Sequence, residues 1–313
     1  MKIAVVGAGA MGCLFGGLLA RAGEEVVLLD RSAETLEALA RRGVVLHEGE
    51  GRETIPVAAA GDPRDAGACD GVLVFVKAHQ TLSARPSVAA LAQGGAWVLT
   101  LQNGLGAADL LAEVVAPGRL LVGVTAQGAT LLGPAEVRHG GAGPTVLGPY
   151  LPGPSPEAGA AARVLAGAGL ECRAVEDPWP HVWHKLAVNC GINALTALTG
   201  IRNGRIPEIP PAAALLEEAV GEAAAVARAA GVDLGDPKAL ARRVLDVARA
   251  TAANRSSMGQ DVDRRASTEV AFINGAVARE GERRGVATPV NRTLTRLIQT
   301  LEATFGADTP GST

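Results

Sequence analysis

The feature that most constrains this chain is a glycine-rich hexapeptide close to its start. Gly7-Ala8-Gly9-Ala10-Met11-Gly12 follows an apolar run, 2–7, that reads as a strand, and it opens a helical pattern over 10–21. In a strand–turn–helix setting each glycine answers a separate steric need. The first permits the tight turn, the second lets backbone approach a pyrophosphate, and the third lets the helix pack close to the strand. The N–H groups at the start of the helix then face the phosphate charge. Residues Gly7, Ala8, Gly9, Ala10, Met11 and Gly12 are therefore predicted to form a dinucleotide site. The uncharged stretch 3–20 behind Lys2 also resembles a secretory signal. Glycines at 7, 9, 12, 16 and 17, with no clear cleavage site, suit a phosphate-binding turn better.

Beyond the turn, short apolar runs alternate with helical patterns, as a parallel α/β sheet requires. Strands are predicted at 26–30, 71–77, 96–102, 120–125 and 171–175. Helices are predicted from Ser32, as cap, to Arg42, with Gly43 as stop, and at 87–93, 107–115 and 157–168. Residues 135–148 read as an edge hairpin. After Asp177 the strand signals stop, and 179–198, 212–230, 237–253, 264–284 and 289–305 all read as helices. The expected architecture is α/β: a doubly wound parallel sheet over 1–176, then an all-helical domain over 177–313 with a loose tail at 308–313.

Composition agrees with this and narrows the function. A chain of 313 residues with 48% hydrophobic and 19% charged positions has material for two cored domains. A net charge of −3, 3% aromatics and no basic tract argue against a nucleic-acid partner. Cysteines 13, 69, 172 and 190 form no C-x-x-C pair and read as reduced thiols of a cytoplasmic protein. His181-x-x-His184 lacks an acidic third ligand, so no metal is expected. The chain has four lysines (2, 77, 185, 238) against 25 arginines, which makes each interior lysine a functional candidate.

Asp30 ends the second strand, where an acid binds the ribose hydroxyls of NAD, and Arg31 beside it suits the 2′-phosphate of NADP. The two point opposite ways, and NADP(H) is the favoured expectation, with NAD(H) the alternative because of Asp30. Lys77 ends the third predicted parallel strand, and Asn103-Gly104 follows the next. Both lie at the carboxyl edge, where such sheets bind ligands.

The most informative stretch is Trp183-His184-Lys185-Leu186-Ala187-Val188-Asn189-Cys190-Gly191-Ile192-Asn193. Lys185, Asn189 and Asn193 stand at i, i+4 and i+8, one stripe of a helix that is otherwise apolar. Burying an ammonium and two amides is costly unless they are paired, and lining a wet cavity that holds an anionic ligand removes the cost. A second cluster, Asn254-Arg255-Ser256-Ser257-Met258, reads as a helix end and loop. A third, Thr268-Glu269, leads into an apolar helical run, with Arg265 at i−4 as a plain partner for Glu269. Asn203-Gly204 is a turn that can also present an amide.

Taken together these motifs are similar to those of the ketopantoate reductases (2-dehydropantoate 2-reductases), within the 6-phosphogluconate dehydrogenase-like superfamily. The resemblance covers about residues 1 to 305. It rests on G-A-G-A-M-G, V-K-A at 76–78, L-Q-N-G at 101–104, W-x-K-L-x-x-N-x-x-x-N at 183–193, N-x-S-S-M-x-Q-D at 254–261 and T-E-V-x-F-I-N-G at 268–275. It implies a Rossmann domain, a helical domain, catalysis in the cleft between them, and NADPH-dependent reduction of 2-dehydropantoate to (R)-pantoate. By that resemblance Lys185 matches the catalytic lysine, and Glu269 a glutamate that contacts the nicotinamide nucleotide. Asn103, Lys185, Asn189, Asn193, Asn203, Asn254 and Ser257 match substrate-contacting positions, with Asn103 touching cofactor too. Arg31, Lys77 and Ala129 match cofactor-contacting positions, Arg31 the one that favours NADPH. The implied partner is a small 2-keto acid, with no nucleic acid and no membrane, acting on a monomer or homodimer. Two alternatives stand beside this: a reductase of another branched 2-keto acid, and an NADP-binding sensor without turnover.

Overall fold

A computed structural model describes residues 1–305, so the tail expected at 308–313 lies outside the described residues. The described chain contains the strands β1 (Lys2–Val6), β2 (Glu25–Leu29), β3 (Val44–Glu48), β4 (Gly51–Ile55), β5 (Ala58–Ala60), β6 (Gly71–Val74), β7 (Trp97–Thr100), β8 (Leu120–Thr125), β9 (Gly128–Gly133), β10 (Glu136–Gly141), β11 (Thr145–Pro149) and β12 (Cys172–Ala174). Helices α1 (Ala10–Arg21), α2 (Ala33–Arg42), α3 (Pro63–Ala66), α4 (Thr81–Ala92), α5 (Ala107–Ala112) and α6 (Pro156–Gly167) fall among them. Helices α7 (Trp179–Thr199), α8 (Pro210–Ala229), α9 (Pro237–Ala250), α10 (Ser257–Asp263), α11 (Asn274–Arg284) and α12 (Pro289–Ala303) follow. The chain forms two compact units, Met1–Gln102 with Ala107–His181, and Asn103–Gly106 with the residues from Val182 onward.

The first unit is built on an eight-stranded sheet of order β12-β11-β8-β7-β6-β1-β2-β5. Every neighbouring pair is parallel except β8 with β11. Side chains alternate between its faces. Ile3, Val5, Leu28, Leu73 and Leu99 join Leu14, Phe15 and Leu18 of α1 and Ala161 and Leu165 of α6 in one core. Ala4, Val6, Val27, Val72 and Val98 join Val88 and Leu91 of α4 and Leu111 of α5 in the other. A sheet buried on both faces needs such continuous apolar strands. From β1 the chain moves outward to β2 and β5, then returns through β6, β7 and β8 on the other side. The order thus reverses between β1 and β6, where ligands bind in open α/β sheets.

Several expectations need correction. The 135–148 hairpin does not form. β11 pairs with β8 in the large sheet, whereas β10 pairs with β9 and β3 in a separate four-stranded sheet of order β4-β3-β10-β9. That second sheet was not anticipated, because β9 is only half-buried and β4 is mostly exposed, leaving weak alternation to read. The helix expected over 264–284 is broken. Arg265 takes φ 53°, which closes off α10, and a 3-10 turn at Val270–Phe272 precedes Ile273 at φ −104° and ψ −97°, so that only α11 is a regular helix. The apolar run at 270–273 imitated helical periodicity without continuing it. The Ser32 cap on α2 and the Gly43 stop are as expected.

Gly12 carries the tightest strand–helix contact, since a Cβ there would overlap the Gly7 carbonyl oxygen, which is backbone. Gly12→Ala is therefore expected to lower the melting temperature by several degrees, measured by calorimetry against Gly9→Ala, whose Cβ would meet nothing within 4 Å.

Candidate active site

The glycine turn has the geometry that its sequence requires. Gly7 adopts φ +101°, and a Cβ there would stand 2.7 Å from the Val76 backbone nitrogen. The turn therefore lies just beyond β6, against Val76, the residue before Lys77. The Gly7 N–H donates to Leu29 O at 2.8 Å, which ties the turn to β2. Gly9, the N-cap of α1, has open space where its Cβ would be, and no acid stands in the first turn of the helix. An open Gly9 and an acid-free helix N-terminus fit a pyrophosphate. Lys77 is half-buried just beyond β6 and opens the 3-10 turn Ala78–Gln80, its N–H donating to Gln80 Oε1 at 3.2 Å. Gln102 braces the same edge, donating from Nε2 to Val76 O at 2.6 Å and Thr81 Oγ1 at 2.9 Å. Ala129 lies on β9, half-buried, paired with His139 and packed against the core that α1 helps to form.

Asp30 and Arg31 diverge. Asp30 Oδ2 accepts from Ala8 N–H at 2.8 Å, and Oδ1 accepts from the N–H groups of Arg31 at 2.8 Å and Ser32 at 2.9 Å. The carboxylate thus fastens the glycine turn to the start of α2. Arg31 is exposed, and its Nη2 donates to Ser83 O.

In the second unit α7 presents the predicted stripe. Lys185 and Asn189 are half-buried and Asn193 is buried, while Leu186, Ala187, Cys190, Gly191, Ile192 and Ala194 around them are buried. Gly191 allows the close packing behind the stripe, since a Cβ there would stand 2.9 Å from both Leu216 and Val220 on α8. Desolvation lowers the Lys185 ammonium from 10.5 to about 8, against the opposing pull of the Glu269 carboxylate.

Glu269 is buried, and its Oε2 accepts from Asn103 Nδ2 at 3.0 Å. This contact depends on Gly104, which holds φ +86° where a Cβ would overlap the Phe272 carbonyl, and the Leu105 N–H donates to that carbonyl at 2.9 Å. The 103–106 segment therefore docks on the turn that carries Glu269. Asn103, Glu269 and Lys185 belong to one constellation of the second unit, linked by the Asn103–Glu269 hydrogen bond and the pull of Glu269 on Lys185.

The remaining predicted residues divide. Asn254 and Ser257 are exposed. Asn203 is buried, its Nδ2 spent on Thr251 Oγ1 at 2.9 Å and its N–H on Asn254 O at 3.1 Å, so it shapes the 251–254 loop from within. Two neighbours inside the same motif were missed. Ser256 caps α10 through Gly259 N–H at 3.0 Å and accepts from Thr196 Oγ1 at 2.7 Å. Arg255 donates to Thr196 O at the end of α7 and is itself held by Asp263 at 2.8 Å. A serine just ahead of a short polar helix was the available signal for the cap. Nothing in the sequence marked Arg255.

A parallel sheet with a glycine turn at its switch point, followed by a helical unit bearing a half-buried lysine under the pull of a carboxylate, is characteristic of the nicotinamide-dependent oxidoreductase class. Comparison makes this particular. The family described as Ketopantoate reductase PanE/ApbA matches residues 3–152, and its C-terminal counterpart matches residues 179–302. The chain belongs to the ketopantoate reductase family. It is 40% identical over 301 residues to the 2-dehydropantoate 2-reductase of Halobacterium salinarum, covering 96% of this chain and 98% of that protein. Among solved structures it resembles a PanE/ApbA family ketopantoate reductase from Ralstonia eutropha JMP134, with TM-score 0.89 and 34% identity over 98% of this chain and 100% of that one. It also resembles D-mandelate dehydrogenase in a ternary structure with NADH and anilino(oxo)acetate, with TM-score 0.91 and 28% identity over 98% and 100% of the two chains.

Glu269 raises the Lys185 midpoint, so Glu269→Gln should drop it below its value of about 8. With only four lysines in the chain, an NMR titration of lysine-labelled protein reads this directly. An unchanged midpoint would remove the coupling.

Proposed function

We propose that this protein reduces 2-dehydropantoate to (R)-pantoate with NADPH, the ketopantoate step of pantothenate and coenzyme A biosynthesis. The observation that carries the reading is the Lys185–Asn189–Asn193 stripe with Glu269 acting on Lys185. Residues 1–176 form the nucleotide-binding domain in this reading, and 177–313 the substrate and catalytic domain. Gly7 to Gly12, Arg31, Lys77, Asn103, Ala129 and Glu269 hold the nucleotide. Asn103, Lys185, Asn189, Asn193, Asn203, Asn254 and Ser257 hold the keto acid. The compartment is the cytoplasm, in keeping with four unpaired thiols.

When bound, NADPH supplies the hydride. The chain's own work is at the carbonyl oxygen, where negative charge develops. Lys185 stabilises that charge and delivers the proton, an interaction stronger in the transition state than in the ground state. A midpoint of about 8 leaves the lysine charged at neutral pH yet willing to release its proton. Glu269 keeps the ammonium charged in a desolvated setting. The asparagines orient carboxylate and hydroxyl without adding a competing charge.

The preference for NADPH is supported by Arg31, exposed at the end of β2, and by Asp30, whose two oxygens are already engaged by three backbone N–H groups. The likeness to D-mandelate dehydrogenase with NADH favours one second reading, a reductase of another branched or aryl 2-keto acid. Values of kcat/KM for ketopantoate, 2-ketoisovalerate and phenylglyoxylate with each cofactor separate the two, and absence of all turnover would leave only a sensor.

Three outcomes are expected. Lys185→Ala loses more than about 100-fold in kcat, the lower end for general acid catalysis, while fluorescence titration still shows NADPH binding. Because the acid must carry its proton, wild-type kcat/KM should fall as pH rises through about 8; a flat profile through that range would remove Lys185 from the role. Arg31→Ala raises KM for NADPH far more than for NADH, and an equal change in both would reverse the cofactor preference.

A further inference from the structure

A polar chain inside the second unit has no part in the reaction above. Asn274 opens α11, Asn291 lies in the first turn of α12, and both are 0% exposed. Glu222 on α8 accepts from the N–H groups of Val290 at 2.8 Å and Asn291 at 2.9 Å, and from Asn291 Nδ2 at 2.7 Å. Asn291 Nδ2 also reaches Ala219 O at 3.0 Å. Its Oδ1 accepts from Asn274 Nδ2 at 3.0 Å, and the same Nδ2 reaches Cys190 O, in the middle of α7, at 3.1 Å. Three side chains thus join four helices, ending on the backbone of the helix that carries the stripe.

Stability alone is a poor reason for this arrangement. Two apolar side chains of matching shape cost little relative to a hydrogen-bonded pair once both partners are exchanged. What an apolar pair lacks is direction. Cys190 lies between Asn189 and Asn193 and five residues beyond Lys185. On the other side, Asn274 directly follows the turn that carries Glu269, whose carbonyl accepts from Phe272 N–H at 2.9 Å and Ile273 N–H at 3.1 Å. One carboxamide therefore touches the lysine's helix and adjoins the glutamate's turn. Arg255 and Ser256 grip α7 only near its far end, at Thr196.

We infer that Asn274, held by Asn291 and Glu222, is the positioning residue that fixes the turn carrying Glu269 against the helix carrying Lys185. The inference rests on Lys185 as the acid of the proposed reaction. Glu269 is the charge that opposes desolvation at Lys185, so loosening this tie weakens the opposition while the burial of the lysine remains.

The test needs neither substrate nor cofactor. In lysine-labelled protein the Lys185 resonance is identified by its loss in Lys185→Met, and its titration midpoint is followed by NMR. Asn274→Leu should lower that midpoint by about half a pH unit or more, about a threefold change in the proton equilibrium, in the same direction as Glu269→Gln. Asn274→Leu/Asn291→Leu removes the amide pair and also takes the Asn291 side-chain donor from Glu222, so its melting temperature should fall further while the midpoint stays low. The basic limb of kcat/KM should move down with it in both variants. A wild-type midpoint and limb in either folded variant, however far its melting temperature has fallen, would make the chain of amides purely structural and overturn the inference. A wild type that titrates normally but reduces no 2-keto acid would defeat the functional reading and leave the positioning role standing.

Discussion

The ammonium of Lys185 is the group around which the second unit is organised. A lysine on a helix whose other faces meet hydrocarbon is under pressure to lose its proton, and burial brings it down to about 8. Left alone, that pressure would favour a neutral amine. The buried carboxylate of Glu269 supplies the opposing charge, and Asn103 fixes that carboxylate through one oxygen. The chain thus places donor, lysine and acid with neutral amides and a single negative charge, which leaves the lysine titrating near neutrality.

Backbone geometry makes this economy feasible. Gly104 gives the 103–106 segment a left-handed conformation and lets it sit on the Phe272 carbonyl, where any Cβ would intrude. Gly7 and Gly12 do the equivalent in the first unit, closing a turn against Val76 and α1 against Gly7. In both places a glycine buys proximity between backbones, and a polar side chain then fixes what has been brought near. Asp30 locks the first turn with three N–H bonds, and Asn103 locks the second onto Glu269. Position 30 shows why residue type alone does not decide a role. The same aspartate that sequence reasoning weighs as a ribose ligand is also a structural fastener of the glycine loop.

How much of this was legible follows from the kind of signal each part leaves. The central parallel strands, α2 with its Ser32 cap and Gly43 stop, and the stripe on α7 are local patterns of period two or 3.6 and read directly, whereas the three-residue edge strand β5 is too short to leave such a pattern. The separate sheet of β3, β4, β9 and β10 is held by pairings such as Val45 with Glu136, far apart in sequence, and its strands β4 and β9 bury few residues. Nothing local encodes such a pairing. The break at Ile273 escaped because the residues before it are as apolar as a helix face, while its cause is a backbone conformation. Asn103 meeting Glu269 spans 166 residues. The motifs named both residues, but only the fold shows them bonded to each other. Arg255 and Asn274 sat inside recognised motifs without a role, because each acts on the backbone of another element, α7.

The choice of lysine at position 185 is itself an argument about chemistry. This chain writes arginine at 25 of its 29 Lys or Arg positions, and an arginine on α7 would supply a positive charge and more hydrogen bonds than a lysine. A guanidinium stays protonated throughout the working range, so it stabilises an oxyanion but has no proton to give. Desolvation that would merely weaken an arginine brings a lysine into the range where giving up a proton is easy. The reduction we propose requires both acts at one oxygen, first holding charge and then neutralising it. In the reduction we propose, an amine under the pull of the Glu269 carboxylate performs both, and the two asparagines further along the helix add hydrogen bonds without disturbing that balance.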